Sequence, residues 1–374
     1  MEHPPNYTLS LVVPCFNEAR TIETCVGRVL EFSRRSGVSV EVVVVDDASA
    51  DGSWEILQGI AGRHAGVKVF RHERNRGKGA ALRTGFVHAT GDFVGIQDAD
   101  EEYDPNDYIL MLEPVLDGRA DVVYGSRYLR PATRGVHHFW HTQMNRGLTA
   151  VSNAFTDLDI SDMETCYKLF RREVIQDIAP QLKEDRFGFE PEITARVAAA
   201  GCRVYECAIS YNPRGYDGGK KIGWADGLRA LYCVFHYSAH RAPLPLMVLI
   251  YLFIGGVSLV VNNVCFVAAT QFGMPLDSAI ITALVVASAC NYLLCIAILF
   301  RHRSRWSAGA EIFLYALTVA LMGFLDYSVT HALIGLVPFF GVHWSGAKLI
   351  ASGIGFIGNF ALRKWLVFPV KKKK

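Results

Sequence analysis

Apolar positions along the chain fall into two regimes. In roughly the first two-thirds they come as short runs separated by mixed, helix-like stretches; in the last third they form long unbroken segments. Ser10-Leu11-Val12-Val13-Pro14 is one short run, followed by Asn17-Glu18 and a helical pattern to about Ser33. Val40 to Val45 is a second, too uniform to have one wet face, as expected of a parallel strand covered on both sides. Val67-Lys68-Val69-Phe70 and Asp92-Phe93-Val94-Gly95-Ile96 continue the series. Strand alternating with helix predicts a three-layer α/β domain with a mainly parallel, Rossmann-like sheet.

After Arg241 the pattern changes. Pro243 and Pro245 suit the entry to a helix, and four apolar segments follow near 246–270, 276–300, 310–336 and 345–368. Each is long enough to cross a hydrocarbon core of about 30 Å as a helix. The expected organisation is a catalytic α/β domain over 1–223, an amphipathic interfacial segment over 224–241, and an all-α, four-span membrane domain over 242–374. The segment from Trp224 to His240 mixes Trp224, Leu228, Leu231, Tyr232 and Phe235 with Arg229 and His236. It reads equally as a surface-lying helix or an ordinary packing helix.

Polar residues cluster where the predicted strands end. Gln97-Asp98-Ala99-Asp100-Glu101-Glu102 follows the fourth strand, and ligands of open α/β sheets bind at that carboxyl edge. Asp98 and Asp100, two apart in extended backbone, point to one side. Together they can hold a divalent cation such as Mg²⁺, which completes its shell with water and substrate phosphates. Asp46-Asp47 closes the second strand; a carboxylate there can accept from a base N–H or a ribose hydroxyl. Gly77-Lys78-Gly79 opens a helix and offers backbone N–H groups, a positive dipole end and a cation. It lacks the third glycine of a dinucleotide fingerprint and is not a P-loop.

Charge and cysteine usage narrow the classes. Of 374 residues, 38 are Lys or Arg and 36 Asp or Glu, a net charge of +2 that gives no reason to invoke nucleic acid. Nine cysteines are scattered without paired metal-ligand spacing, and no signal peptide precedes Leu9, so the catalytic domain is expected in the reducing cytoplasm. The loop Arg301-His302-Arg303-Ser304-Arg305 and the tail Arg363 to Lys374 are basic, whereas the connections near Gly273 and Phe340 are not. The positive-inside rule then places both termini and the middle loop in the cytoplasm.

Taken in order, Val13-Pro14-Cys15-Phe16-Asn17-Glu18, Val45-Asp46-Asp47-Ala48-Ser49, Asp98-Ala99-Asp100 and Gly125-Ser126-Arg127 resemble the signatures of family 2 glycosyltransferases of the GT-A fold. Asp162 to Lys168, Phe187 to Glu192 and Arg214-Gly215-Tyr216 extend the likeness to the dolichol-phosphate mannose synthase group, over roughly the first 235 residues. The resemblance implies transfer of a sugar, mannose or glucose, from a GDP- or UDP-linked donor to a polyprenyl or dolichyl phosphate, with inversion in a single in-line displacement. Carried over by position, Pro14, Phe16, Glu18, Asp46, Asp47 and Asp98 would bind the nucleotide. Asp98, Asp100 and Glu102 would coordinate Mg²⁺ or Mn²⁺, Glu102 standing where relatives often carry Gln. Arg127, Arg146 and Arg214 would bind the acceptor phosphate, with Asp100 and Arg127 central to catalysis. The phosphate nucleophile is already ionised and needs orientation more than a base.

The four spans contain a faint repeat: Gly255 aligns with Gly323, Asn291-Tyr292 with Asn359-Phe360, and Leu299-Phe300 with Val367-Phe368. This arrangement resembles GtrA-like membrane domains, for which lipid-carrier binding and translocation are both proposed. Asn262, Asn263, Asn291, Asp326 and Asn359 are expected to face the bundle interior. Of the remaining polar groups, Glu190 and Glu192 open a helix, Asp162 and Glu164 suit sugar hydroxyls or a turn, and His137, His138 and His141 border Phe139-Trp140 in a loop touching lipid or acceptor. Lys220-Lys221 beside Trp224 reads as a membrane-surface anchor. Two competing readings are a processive polysaccharide synthase, opposed by the absence of Gln-x-x-Arg-Trp, and a lipid-carrier binding or translocating protein. A transferase using another membrane acceptor is a third. Oligomeric state is open, with self-association one option.

Overall fold

The computed structural model describes residues 7–129, 139–212, 224–300, 306–336 and 344–368. Contacts divide the chain into two units, Met1–Ala242 and Pro243–Lys374.

The first unit is built on seven strands: β1 (Thr8–Cys15), β2 (Ser39–Asp46), β3 (Val67–Arg71), β4 (Phe93–Ile96), β5 (Val122–Ser126), β6 (Lys168–Arg171) and β7 (Val204–Ala208). Their order is β3-β2-β1-β4-β6-β5-β7. The sheet is parallel except at β6, which runs antiparallel to both β4 and β5. Two reversals restore direction, so β5 points the same way as β4. The ends of β1, β2, β4 and β5 therefore share one edge, and the order turns back between β1 and β4. A crevice at such a switch point is where open sheets place ligands.

The apolar run of β2 is covered on both faces, since Val42, Val43, Val44 and Val45 are all buried. One covering helix, α1 (Ile22–Ser36), turns Ile22, Cys25, Val26, Val29 and Phe32 inward at helical spacing. It stops at Gly37, whose φ of 75° is left-handed and whose N–H bonds Ser33 O. The other layers use α2 (Ser53–Arg63), α3 (Lys78–His88), α4 (Tyr108–Leu116), α5 (Phe139–Thr156), α6 (Arg172–Ile178) and α7 (Phe189–Ala200). Helix α8 (Trp224–Ser238) belongs to the first unit. It packs Ala230, Cys233, Val234 and Tyr237 inward, Cys233 and Tyr237 clustering with Ala195 of α7, and stacks Phe235 on Phe155 edge to face. Leu228 and Tyr232 stay exposed, so one face packs and the other is an apolar surface.

Among the described residues the second unit has the helices α9 (Leu244–Gln271), α10 (Leu276–Leu294), α11 (Ala308–Leu336) and α12 (Trp344–Leu362). Helices α10 and α12 each run into a π-helical turn, Cys295–Phe300 and Arg363–Val367. Four spans were expected; among the described residues two helical stretches, Leu244–Gln271 and Ile281–Phe300, are long and apolar enough to cross a membrane. Gly309–Met322 is a shorter apolar stretch. Asn263 departs from expectation. It is exposed, and it avoids an unmet donor by bonding Leu259 O one turn back, at 2.8 Å. The side chain of Asp326 and the loop 301–305 lie outside the described residues.

Candidate active site

The carboxyl edge is laced together by its own side chains. Asn17, after β1, has a φ of 57°, and Ala48, after β2, a φ of 62°. These left-handed residues bring the two loops side by side. Asn17 N–H donates to Ser49 Oγ at 2.9 Å, Ala50 N–H to Asn17 Oδ1 at 2.9 Å, and Glu18 N–H to Ser53 Oγ at 3.0 Å. Phe16 stands exposed above them, Pro14 and Glu18 are half-buried, and Thr21 Oγ1 donates to Glu18 Oε2 at 2.7 Å.

Asp46 and Asp47 are both buried. Asp46 pairs with Arg71 Nε at 3.1 Å and accepts from Ser49 N–H. Asp47 accepts from the backbone N–H of Arg76 at 2.9 Å and of Gly77 at 2.6 Å, and contacts His72 Nδ1 at 2.7 Å. It ties the β2 loop to the start of α3. Part of the donor set expected at Gly77-Lys78-Gly79 is used within the fold. Asp47 takes the Gly77 N–H, and Asp185 O takes the N–H of Ala80 at 3.2 Å. The two glycines are needed for a different reason: a Cβ at Gly77 would collide with Asp185 O, and one at Gly79 with Glu184 O. Gly77 also has a φ of 101°.

Lys78 turns from that helix start into the crevice. Its Nζ lies 3.0 Å from Asp98 Oδ1 and 3.3 Å from Glu190 Oε1. Burial alone would lower its pKa, but Asp98 foremost among its acidic neighbours holds it well above the ordinary lysine value. An ammonium thus already sits on the Asp98 carboxylate. Asp100 Oδ1 accepts from Glu102 N–H at 3.1 Å, and Glu102 Oε2 accepts from Tyr211 O–H at 2.9 Å. Among the described residues, no group of three or more His, Cys, Asp or Glu side chains is arranged to hold a metal ion. The donor chemistry nonetheless fits one. Asp98 and Asp100 are hard oxygen donors at the crevice, a cationic group occupies the first, and Mg²⁺ commonly needs only one or two carboxylates beside its phosphates.

Beyond β5, Arg127 is 8% exposed and paired bidentately with Asp162, Nε to Oδ2 at 2.7 Å and Nη2 to Oδ1 at 2.8 Å. Its backbone N–H also donates to Asp162 Oδ2. Burial would lower the guanidinium pKa, and Asp162 raises it well above the ordinary value. The guanidinium stands over the rings of Tyr211 and Tyr128 at 5.4 and 5.8 Å, and exposed Arg146 of α5 approaches the Tyr128 ring at 5.4 Å. Arg127 and Arg146 therefore meet at one aromatic ring. Arg214, with Lys220 and Lys221, lies outside the described residues, as do His137 and His138.

Two features escaped sequence reasoning, the Lys78–Asp98–Glu190 cluster and the Arg127–Asp162 pair; Glu164 was singled out, but not for its burial. Glu164 Oε1 is buried with no hydrogen-bond partner. Burial, then the neighbouring Glu190, pushes its carboxyl up to about 8. Nearby Lys168 is fully buried, donates to Met163 O at 3.0 Å and to Thr165 O, and is lowered by burial. Glu192, expected only to favour a helix start, accepts the N–H groups of Lys183 and Glu184 at 2.7 Å each. Cysteine chemistry finds no support at the site, because burial pushes both Cys15 and Cys25 up to about 12.

Comparison with known proteins finds a match for part of each unit. Residues 10–179 match the family model described as Glycosyl transferase family 2, and residues 250–368 match the one described as GtrA/DPMS, transmembrane domain. The chain is 24% identical over 362 residues to the dolichol-phosphate mannosyltransferase of Pyrococcus furiosus, covering 95% of this chain and 96% of that protein. It is 28% identical over 215 residues to the glycosyltransferase AglD of Haloferax volcanii, covering 55% of this chain and 33% of that protein. It is 26% identical over 218 residues to the dolichyl-phosphate beta-glucosyltransferase ALG5D of Trichomonas vaginalis, covering 56% of this chain and 67% of that protein.

Proposed function

We propose that this chain, a family 2 glycosyltransferase domain fused to a GtrA/DPMS-type membrane domain, transfers a hexose from a nucleotide diphosphate sugar to a polyprenyl phosphate. The hexose is mannose or glucose, the two sugars carried by the similar proteins. The observation that carries the reading is the convergence of Asp98, Asp100, Lys78 and Arg127 on one edge, beside the β1/β4 switch point.

In this reading Pro14, Phe16 and Glu18 border the base and ribose. Asp46 and Asp47 act by fixing the loops around them. Asp98 and Asp100, with Glu102 behind Tyr211, would hold Mg²⁺ or Mn²⁺, which supplies Lewis-acid stabilisation of the diphosphate leaving group. Lys78 adds a positive charge on the same side. Arg127, oriented by Asp162, and Arg146, across the Tyr128 ring, bind the acceptor phosphate; a planar guanidinium fork suits that anion. The acceptor oxygen forms the new bond to the anomeric carbon as the nucleoside diphosphate leaves, and no general base is required. The four apolar segments of the second unit would cross the bilayer, keeping the catalytic unit and both termini on the cytoplasmic side with the soluble donor.

The test is a transfer assay with the full chain in detergent, a short polyprenyl phosphate, Mg²⁺ or Mn²⁺, and a panel of GDP- and UDP-hexoses. Lipid-linked product from one donor, lost on chelation and reduced at least about a hundredfold by Asp100→Asn, is expected. No product from any donor, by folded protein that still binds nucleotide, would sink the reading. Full activity of Asp100→Asn would sink the metal assignment alone.

A further inference from the structure

The second unit contains a cavity of about 410 Å³ whose polar lining includes Ser258, Asn262, Asn291, Tyr315, Asn359 and Arg363. It draws on α9, α10, α11, α12 and the π-helical turn after α12. Such polar concentration is costly in helices this apolar and marks function by default. Arg363 is the unusual member. It is 3% exposed, yet among the described residues no carboxylate pairs with it. Its surroundings are neutral: Arg363 Nη1 donates to Asn291 Oδ1 and approaches Cys295 Sγ at 3.7 Å, while the Tyr315 and Tyr251 rings lie 4.4 and 5.4 Å from the guanidinium.

Two polar atoms of the lining are buried with nothing to bond, Arg363 Nε and Asn359 Oδ1. An amide can rotate to present its two N–H donors in place of the oxygen. Asn359 and Arg363 Nε then face the cavity as donors beside an unneutralised cation, while the hydroxyls of Ser258 and Tyr315 already donate to Ile254 O at 2.8 Å and Ser288 O at 3.1 Å. A bland helix–helix staple would leave neither a lone buried charge nor an orphaned Nε, because removing charge from water is repaid only by a counter-charge.

We propose that this cavity is a binding site for a phosphate anion, the headgroup of a lipid phosphate monoester or free inorganic phosphate. The guanidinium would give its Nε and a terminal N–H to two phosphate oxygens, a bidentate match to that geometry. Arg363 lies near the C-terminal end of the last apolar segment, with the terminal lysines just beyond, which sets it toward the level of lipid headgroups. The site needs only the second unit's residues and stands whether or not the first unit transfers a hexose.

The experiment uses the full chain in lipid nanodiscs and a prenyl phosphate with a photoreactive group beside its phosphate, with labelled residues mapped by mass spectrometry. Label is expected on α9 and α11 around Ser258 and Tyr315, distinguishable from any label in the first unit. Arg363→Gln should cut that label at least about tenfold while leaving label at the first unit's acceptor arginines intact. Should Arg363→Gln not fold, Asn359→Ala should lower the label about threefold or more. Protection by unlabelled prenyl phosphate but not by millimolar inorganic phosphate identifies a lipid headgroup; protection by both identifies a general phosphate site. Absence of cavity label in the wild type, or label that survives the substitutions undiminished, overturns the proposal.

Discussion

Two buried arginines, one in each unit, are treated in opposite ways. Arg127 is locked to Asp162 through three hydrogen bonds, so its charge is balanced by a residue that folds with it. Arg363 is equally buried but rests on an amide, a thiol and two phenol rings. The first arrangement costs a carboxylate and yields a fixed geometry. The second leaves a charge to be completed from outside. The contrast teaches that burial of a cation alone says little about its role; what completes its charge says more.

The largest effect expected is from Asp162→Asn, which strands Arg127. Breaking a buried pair from one side costs about 3–5 kcal/mol, so the first unit's melting temperature should fall by roughly 6–20 °C, followed by thermal unfolding in detergent. A drop below about 1 kcal/mol would class the pair as a surface one. Next, Arg127→Met combined with Asp162→Leu should recover most of that stability, because a well-packed apolar pair replaces both charges. Transfer to lipid phosphate should stay lost; product from this double variant would reduce Arg127 to a structural residue. Arg363→Gln should then lie within about 1 kcal/mol of the wild type, or be more stable, since no opposite charge is abandoned. A loss as large as that of Asp162→Asn would erase the distinction between the two arginines.

The smallest effect compares two acids of the first unit. Glu41 is buried, which raises a carboxyl, but Lys68, Ser10 and Thr90 together bring it down to about 2. Its contribution to stability is complete above the ordinary value of 4.5 and fades as pH falls toward 2. Glu164 is the reverse. With its folded pKa at about 8, the unfolded chain gives up the proton first, so stability declines as pH rises from 4.5 to about 8. Glu164→Gln should flatten that upper slope and leave the acid limb unchanged, read from melting temperature against pH. Identical profiles for variant and wild type would mean that Glu164 ionises freely.

Much of this was legible in advance where it depends on local pattern. Val42 to Val45 announce a doubly covered strand by continuous apolarity, and Asp98 and Asp100 reach the carboxyl edge because they follow one. Pairing across distance was not legible. Asp162 is 35 residues from Arg127 and joins it only because the antiparallel β6 brings its preceding loop to the end of β5. The glycines at 77 and 79 were legible as the opening of a helix, but the close approach of the backbone at 184 and 185 that requires them was not. Asn263 broke a sound rule for the same kind of reason: a side chain that bonds its own helix needs no interior partner.

The π-helical turns Cys295–Phe300 and Arg363–Val367 occupy matching positions of the repeat, and their first residues meet at 3.7 Å. Were the two halves identical, the centre of the unit would hold either two thiols or two guanidinium groups. Two thiols carry no charge, and two guanidinium groups repel. A single cation there requires the copies to differ at one position. At this pair of positions the two hairpins are not interchangeable, even where their backbones correspond.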